Sequence, residues 1–180
     1  MSLDVILELL NKRPDDVMKK NQRGYLPIHV ACFKEQSFDV IDALITAYPD
    51  GLKVQDNDGG LPIHKACANG QSFEVIEALM KAYPDGLKVP DNYGRLPIHW
   101  ACEQGLSFEV IEALIDVYPD GLKERNGDGR LPIRYALMKQ ARDSPSLSRT
   151  VLNMDHLGIE ICQVITGMTP KCQVIKKVCT

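Results

Sequence analysis

Leu61-Pro62-Ile63-His64-Lys65-Ala66-Cys67-Ala68-Asn69-Gly70 reads as one short helix together with its own stop. Pro62 suits the first helical turn, where a missing N–H has no partner to lose, and Gly70 suits a left-handed helix end. Just beyond, Ser72 stands where it can cap a second helix, with Glu74 favourably in the first turn. Val75, Ile76, Leu79, Met80 and Tyr83 then recur at helical spacing, which gives that second helix a single apolar face. Pro84 disfavours helical geometry at Tyr83, and Tyr83-Pro84-Asp85-Gly86 carries turn chemistry. Residues 87–94 read as an extended loop that reverses near Asp91-Asn92-Tyr93-Gly94.

This helix, turn, helix, loop pattern recurs. Leu-Pro-Ile stands at residues 26–28, 61–63, 96–98 and 131–133, a spacing of 35 residues each time, and residues 56–90 share 24 of 35 positions with residues 91–125. Two helices this short cannot bury their apolar faces alone, so neighbouring pairs must stack into one interior. The expected architecture is an all-α solenoid with whole units at residues 21–55, 56–90 and 91–125 and a divergent capping unit at residues 126–157.

Both ends depart from the pattern. Ser2, Val5, Ile6, Leu9, Leu10 and Pro14 match Ser37, Val40, Ile41, Leu44, Ile45 and Pro49, so residues 1–20 read as the second helix of a unit without its first, either an incomplete chain or an improvised cap. At the other end residues 135–141 continue an inner helix, Asp143-Ser144-Pro145-Ser146 lengthens the turn, and residues 147–157 imitate the second helix loosely. Residues 158–180 lose the register and read as a packed extension or a tail.

Composition narrows the function classes. A chain of 180 residues, 44% hydrophobic and 25% charged, is of single-domain size. Its net charge of -3 offers no general attraction to nucleic acid or anionic lipid, and no apolar run approaches the roughly 18 residues of a membrane span. The apolar opening is interrupted by Asp4 and Glu8 and has no basic residue ahead of it, unlike a signal peptide. With no Asn-x-Ser/Thr acceptor, these features lead us to expect an intracellular protein, cytoplasmic or nuclear, with reduced cysteines.

The stretch from Leu61 to Gly70, with Asp56 and Gly59 ahead of it, resembles the ankyrin repeat, whose consensus is Asp-x-x-Gly-x-Thr-Pro-Leu-His-x-Ala-Ala-x-x-Gly. The resemblance covers roughly residues 2–141. Units of 35 rather than 33 residues place the additions around Ser72 and around Tyr83-Pro84-Asp85-Gly86, in turns a solenoid can lengthen. Leu26, Leu61, Leu96 and Leu131 replace the consensus threonine and remove its capping hydroxyl. The resemblance implies a protein-recognition scaffold that presents loop tips and the exposed side of the inner helices.

Comparing units within the chain suggests where a partner would lie, because positions held constant serve the stack and varying positions are free to serve a partner. The varying columns are Arg23, Asp58, Tyr93 and Asp128 at the tip; Tyr25, Gly60, Arg95 and Arg130; Val30, Lys65, Trp100 and Tyr135; Phe33, Ala68, Glu103 and Met138; and Lys34, Asn69, Gln104 and Lys139. The candidate contact set is Tyr93, Arg95, Trp100, Glu103, Arg130 and Tyr135, with Lys65 and Tyr25, rich in the Trp, Tyr and Arg that dominate binding hot spots. The competing reading is that Trp100 and Tyr135 pack between neighbouring units.

Other chemistry lacks support. His29/Cys32, His64/Cys67 and His99/Cys102 repeat a His-x-x-Cys, but units stacked roughly 8–10 Å apart cannot bring equivalent residues to within about 2.3 Å of one zinc, and their cysteines exceed the roughly 7 Å disulfide limit. The cysteines read as small core residues and the histidines as hydrogen-bonding links between units. Asp56-Asn57-Asp58-Gly59 lacks the further ligands of a calcium loop. There is no phosphate-binding glycine loop and no Gly-x-Ser-x-Gly, Asp50, Asp85 and Asp120 read as turn formers, and Cys162, Cys172 and Cys179 have no Cys-x-x-Cys spacing. No enzyme activity, cofactor, metal or small-molecule substrate is expected. Two alternatives to a partner-binding module are an architectural segment of a longer solenoid and an RNA-reading array of pentatricopeptide type. The latter shares the 35-residue period but needs a basic stripe that this chain lacks.

Overall fold

The computed structural model describes residues 3–143, and the expectations for residues 144–180, including Cys162, Cys172 and Cys179, lie outside them. Among the described residues the chain forms eight α-helices: α1 (Leu3–Lys12), α2 (Pro27–Phe33), α3 (Phe38–Ala47), α4 (Pro62–Ala68), α5 (Phe73–Ala82), α6 (Pro97–Gln104), α7 (Phe108–Val117) and α8 (Pro132–Asp143). The helices α2, α4, α6 and α8 form an inner row, each packed on the next, and α1, α3, α5 and α7 form an outer row.

Each inner helix begins at its proline, and the loss of the capping threonine is made good by histidine. Leu26, Leu61 and Leu96 donate their backbone N–H groups to Nδ1 of His29, His64 and His99 at 3.1–3.2 Å. A side chain in the first turn thus reaches back to an N–H ahead of the helix, the reciprocal half of a capping box without a hydroxyl. The stops follow the expected chemistry, since Gly70 and Gly105 take φ of 73° and 63°.

Two local expectations need correction. Ser72 occupies the cap position of α5, but its hydroxyl makes no cap bond; its backbone carbonyl receives Ile76 N–H instead. Ser107 does close the bond, from Val110 N–H, at a long 3.4 Å. The stretch after Pro84 is not extended from Leu87 onward, because Pro84–Lys88 forms a 3-10 helix, as do Pro49–Lys53 and Pro119–Leu122. Proline at the start of each favours a tight turn, and Leu52 and Leu87 use it to reach the interior.

One apolar cluster runs the length of the stack, from Val17 through Ile28, Ile63 and Ile98 to Tyr135. Val75, Ile76, Leu79 and Met80 are all buried on the face of α5 that the sequence pattern marks, each contributing about 1.5–3 kcal/mol of transfer free energy. Ile133, in the last described unit, is only half-buried. Hydrogen bonds stitch the units as well. His29, His64 and His99 approach the carbonyls of Gly60, Arg95 and Arg130 through Nε2 at 3.2–3.3 Å, and Gln71 Nε2 donates to the carbonyl of Cys32 at 3.2 Å.

Candidate functional site

The hairpins are built first by their glycines and asparagines. Gly24, Gly59, Gly94 and Gly129 take φ near 70–75°, and adjoining tips are joined by backbone rungs, Asn57 N–H to Arg23 O at 3.1 Å and Asn92 N–H to Asp58 O at 2.9 Å. Gly127 N–H continues the ladder to Tyr93 O at 2.8 Å.

In three of the four hairpins a single Asp or Asn does two jobs; in the first, Asn21 fixes the turn alone, since Val30 stands nine positions on. Asp91 Oδ1 accepts the N–H groups of Tyr93 and Arg95, both at 2.9 Å, which fixes the turn. Its Oδ2 accepts the indole N–H of Trp100 at 3.0 Å. In the second unit Asp56 Oδ1 holds Asp58 and Gly60 N–H while Oδ2 faces the Lys65 ammonium at 2.7 Å. In the fourth, Asn126 Oδ1 holds Asp128 and Arg130 N–H while Nδ2 donates to the Tyr135 hydroxyl at 2.7 Å. The residue nine positions on is therefore matched to this group, a donor where an aspartate stands and an acceptor where an asparagine stands. Burial draws the Lys65 pKa down, but the hydrogen bond to Asp56 and its charge outweigh it and leave the ammonium more basic than usual.

Around Arg95 these groups converge. Its guanidinium lies 4.5 Å from the Trp100 ring centroid and 5.1 Å from that of Tyr135, and one guanidinium nitrogen meets Glu103 at 2.8 Å. Two rings and a carboxylate hold one side chain, each cation–π contact supplying about 0.5–2 kcal/mol. Lys65 stands over the Tyr25 ring at 5.0 Å in the same way, one unit apart.

The eight sequence-marked residues thus separate. Tyr93, at the third hairpin tip, is the most open large apolar side chain among the described residues at 59% exposure. Arg130 is exposed beside Asp128, 3.6 Å away. Glu103, Arg95, Trp100 and Lys65 are partly covered and show an edge to solvent. Tyr25 and Tyr135 are buried, and this corrects the premise that every varying column is free of packing duty. Tyr135 meets His99 edge-on at 6.2 Å between the third and fourth units, which is the competing reading for that residue. Sequence comparison missed Asp91, Asp56 and Asn126 as the groups that orient the face, although an Asp or Asn nine residues before each varying residue carried the signal.

Both ring nitrogens of the three histidines serve the backbone. Burial pulls His29 and His64 down to about 4, and it lowers His99 as well. Cys32, Cys67 and Cys102 are free and buried, and burial raises each thiol, that of Cys102 to about 12.

A family model for ankyrin repeats (3 copies) matches residues 28–124 and 63–153. No curated protein matches the chain.

Proposed function

Because the chain belongs to the ankyrin repeat family, we propose that it binds a partner protein through its hairpin tips and the exposed edge of its third and fourth inner helices. Ankyrin repeats are in general protein–protein interaction modules and typically non-enzymatic scaffolds, and we assign this chain no catalytic role. The observation that carries the reading is Tyr93, a tip aromatic at 59% exposure whose backbone is pinned on both sides, by Asp91 at its N–H and by Gly127 at its carbonyl. A rigid exposed aromatic loses little freedom on binding. In this proposal Tyr93, Arg130 and Glu103 meet the partner with the open edges of Trp100 and Arg95. Lys65, Tyr25 and Tyr135 support the face from behind.

The proposed setting is intracellular, cytoplasmic or nuclear. Affinity capture from the native cell tests the reading with three baits: the wild type, a Tyr93→Ala/Arg130→Ala variant, and a Phe38→Ala/Phe108→Ala variant on the outer row. Partners lost only from the first variant support it, at a cost of about 2 kcal/mol or more for the Tyr93 truncation alone. Partners lost only from the outer-row variant would move the site to the opposite face.

A further inference from the structure

Asn-Gly occurs twice in the chain, at Asn69-Gly70 and Asn126-Gly127. This dipeptide carries its own reaction, because the glycine nitrogen, unhindered by a side chain, can attack the asparagine Cγ and close a five-membered imide. The structure sets the two copies in opposite surroundings. Asn126 is held at each atom that the reaction needs free. It is 5% exposed, its Oδ1 accepts the N–H groups of Asp128 and Arg130 at 3.1 and 2.8 Å, and its Nδ2 donates to the Tyr135 hydroxyl at 2.7 Å. The attacking nitrogen is tied as well, since Gly127 N–H forms the rung to Tyr93 O at 2.8 Å. Gly94 lies so close to that nitrogen that a Cβ on it would stand 2.6 Å away. Ring closure at Asn126 therefore requires the third and fourth hairpins to separate.

Asn69 stands at the open end of α4. It is half-buried and Gly70 is exposed, and its Nδ2 donates to the Lys65 carbonyl at 2.8 Å, within its own helix end. Asn69 has φ of -110° and ψ of 10°, so the Gly70 nitrogen must swing toward the side chain before it can attack. Gly70 permits that swing. Its φ is 73°, glycine takes either sign of φ about equally readily, and a Cβ on it would meet nothing within 4 Å. Turning the Asn69–Gly70 peptide plane leaves Gln71 in place, with its N–H on the Ala66 carbonyl at 3.1 Å.

We propose that Asn69-Gly70 is a modification site at which the folded chain deamidates spontaneously, and that the hairpin ladder seals Asn126-Gly127 against the same reaction. Gly70 N gives up its proton to solvent and bonds to Asn69 Cγ. The Cγ–Nδ2 bond breaks, and the departing nitrogen takes a proton back and leaves as ammonia. Water then opens the imide at either carbonyl, giving aspartate or isoaspartate. Each product loses the donor to the Lys65 carbonyl and places a negative charge at the C-terminal end of α4, where the helix dipole disfavours it. Asn69 shares its column with Gln104 and Lys139, so the change adds an acid to the inner row. The reaction needs no partner and stands apart from the reading of the Tyr93 face.

The full chain, incubated at pH 8 and 37 °C and sampled over days, is digested with trypsin in mildly acidic buffer. Peptides 66–81 and 126–130 are followed by mass spectrometry, with chromatographic separation of aspartate from isoaspartate. In the folded chain Asn69 should convert at least about ten times faster than Asn126, and in guanidinium chloride the two rates should come within about three-fold of each other. Gly70→Ala should slow conversion of Asn69 about ten-fold or more, since it takes away both the unhindered nitrogen and the free turn of the peptide plane. Both aspartate and isoaspartate should appear at Asn69. The proposal is overturned if Asn69 stays intact in the folded chain while the unfolded chain converts, or if Asn126 keeps pace with it in the folded chain. It is also overturned if Asn69 in the Gly70→Ala chain reacts as fast as in the wild type, or if aspartate alone is formed.

Discussion

Nε2 of His64 reaches the carbonyl of Arg95, 31 residues further along the chain, at 3.2 Å, while Nδ1 of the same ring accepts the N–H of Leu61 at 3.1 Å. The second bond requires an unprotonated Nδ1, so the proton sits on Nε2 and donates to the next unit. One neutral ring caps its own helix and ties it to its neighbour. His29 and His99 repeat the arrangement.

The neutral ring makes stability depend on pH. An unfolded histidine ionises near 6.5, and burial holds folded His29 and His64 near 4. Between these values the unfolded chain takes up protons that the folded chain refuses, so the contribution is fully present above about pH 6.5 and is lost as pH falls toward 4. The loss by pH 5 is on the order of 2 kcal/mol per ring. Urea unfolding at pH 7 and pH 5 should show this fall, reduced in His64→Gln by roughly one ring's share. An equal fall in the variant would mean that His64 titrates freely.

Glu35 holds the left-handed position that Gly70 and Gly105 fill in the following units, with φ of 50°. A left-handed L-residue costs about 1–2 kcal/mol, and glycine gives back about 0.4–1 kcal/mol through unfolded-state freedom. Glu35→Gly should therefore stabilise the chain by up to about 1 kcal/mol, read as a rise in Tm. A fall in Tm would show that the Glu35 side chain is itself needed.

Gly59 and Gly70 separate backbone strain from close approach. Both have positive φ, but a Cβ at Gly59 would meet the Asn92 backbone nitrogen at 2.8 Å, whereas one at Gly70 meets nothing within 4 Å. Gly70→Ala should cost about 1 kcal/mol and Gly59→Ala about 2–3 kcal/mol, the excess coming from the rung between Asn92 and Asp58. Equal losses would mean that the hairpin ladder yields freely.

The thiols of Cys32, Cys67 and Cys102 should stay unmodified by iodoacetamide in the native state, since they are buried and held protonated. Peptide mapping after timed labelling should give one common rate for all three, set by opening of the stack. Rapid native labelling of Cys67, in the middle unit, would contradict a closed interior.

Much of the fold was legible because a 35-residue recurrence leaves few ways to bury Leu61, Ile63, Ala66 and Cys67 together. The link made by His64 could be read from its recurrence, but its cap on Leu61 could not, since the residue that departs from the consensus is the leucine rather than the histidine that compensates for it. The exposure of the candidate face was legible at Tyr93, a hairpin-tip residue that stands open to solvent. It was misread at Tyr25 and Tyr135, because variation between units marks mutual packing as readily as exposure. Tyr25 varies together with the Lys65 that covers it, and Arg95 together with the Tyr135 beside it.

Native-state hydrogen exchange at the Leu61 amide tests most directly whether histidine-linked units share one interior. That N–H is sealed by His64 Nδ1 in the middle of the stack, and the account predicts that it exchanges only through the same global opening as the buried Ile76 amide of α5, with equal free energy and equal urea dependence. Exchange of Leu61 by a local opening, as fast as the hairpin amide of Asp58, would contradict it.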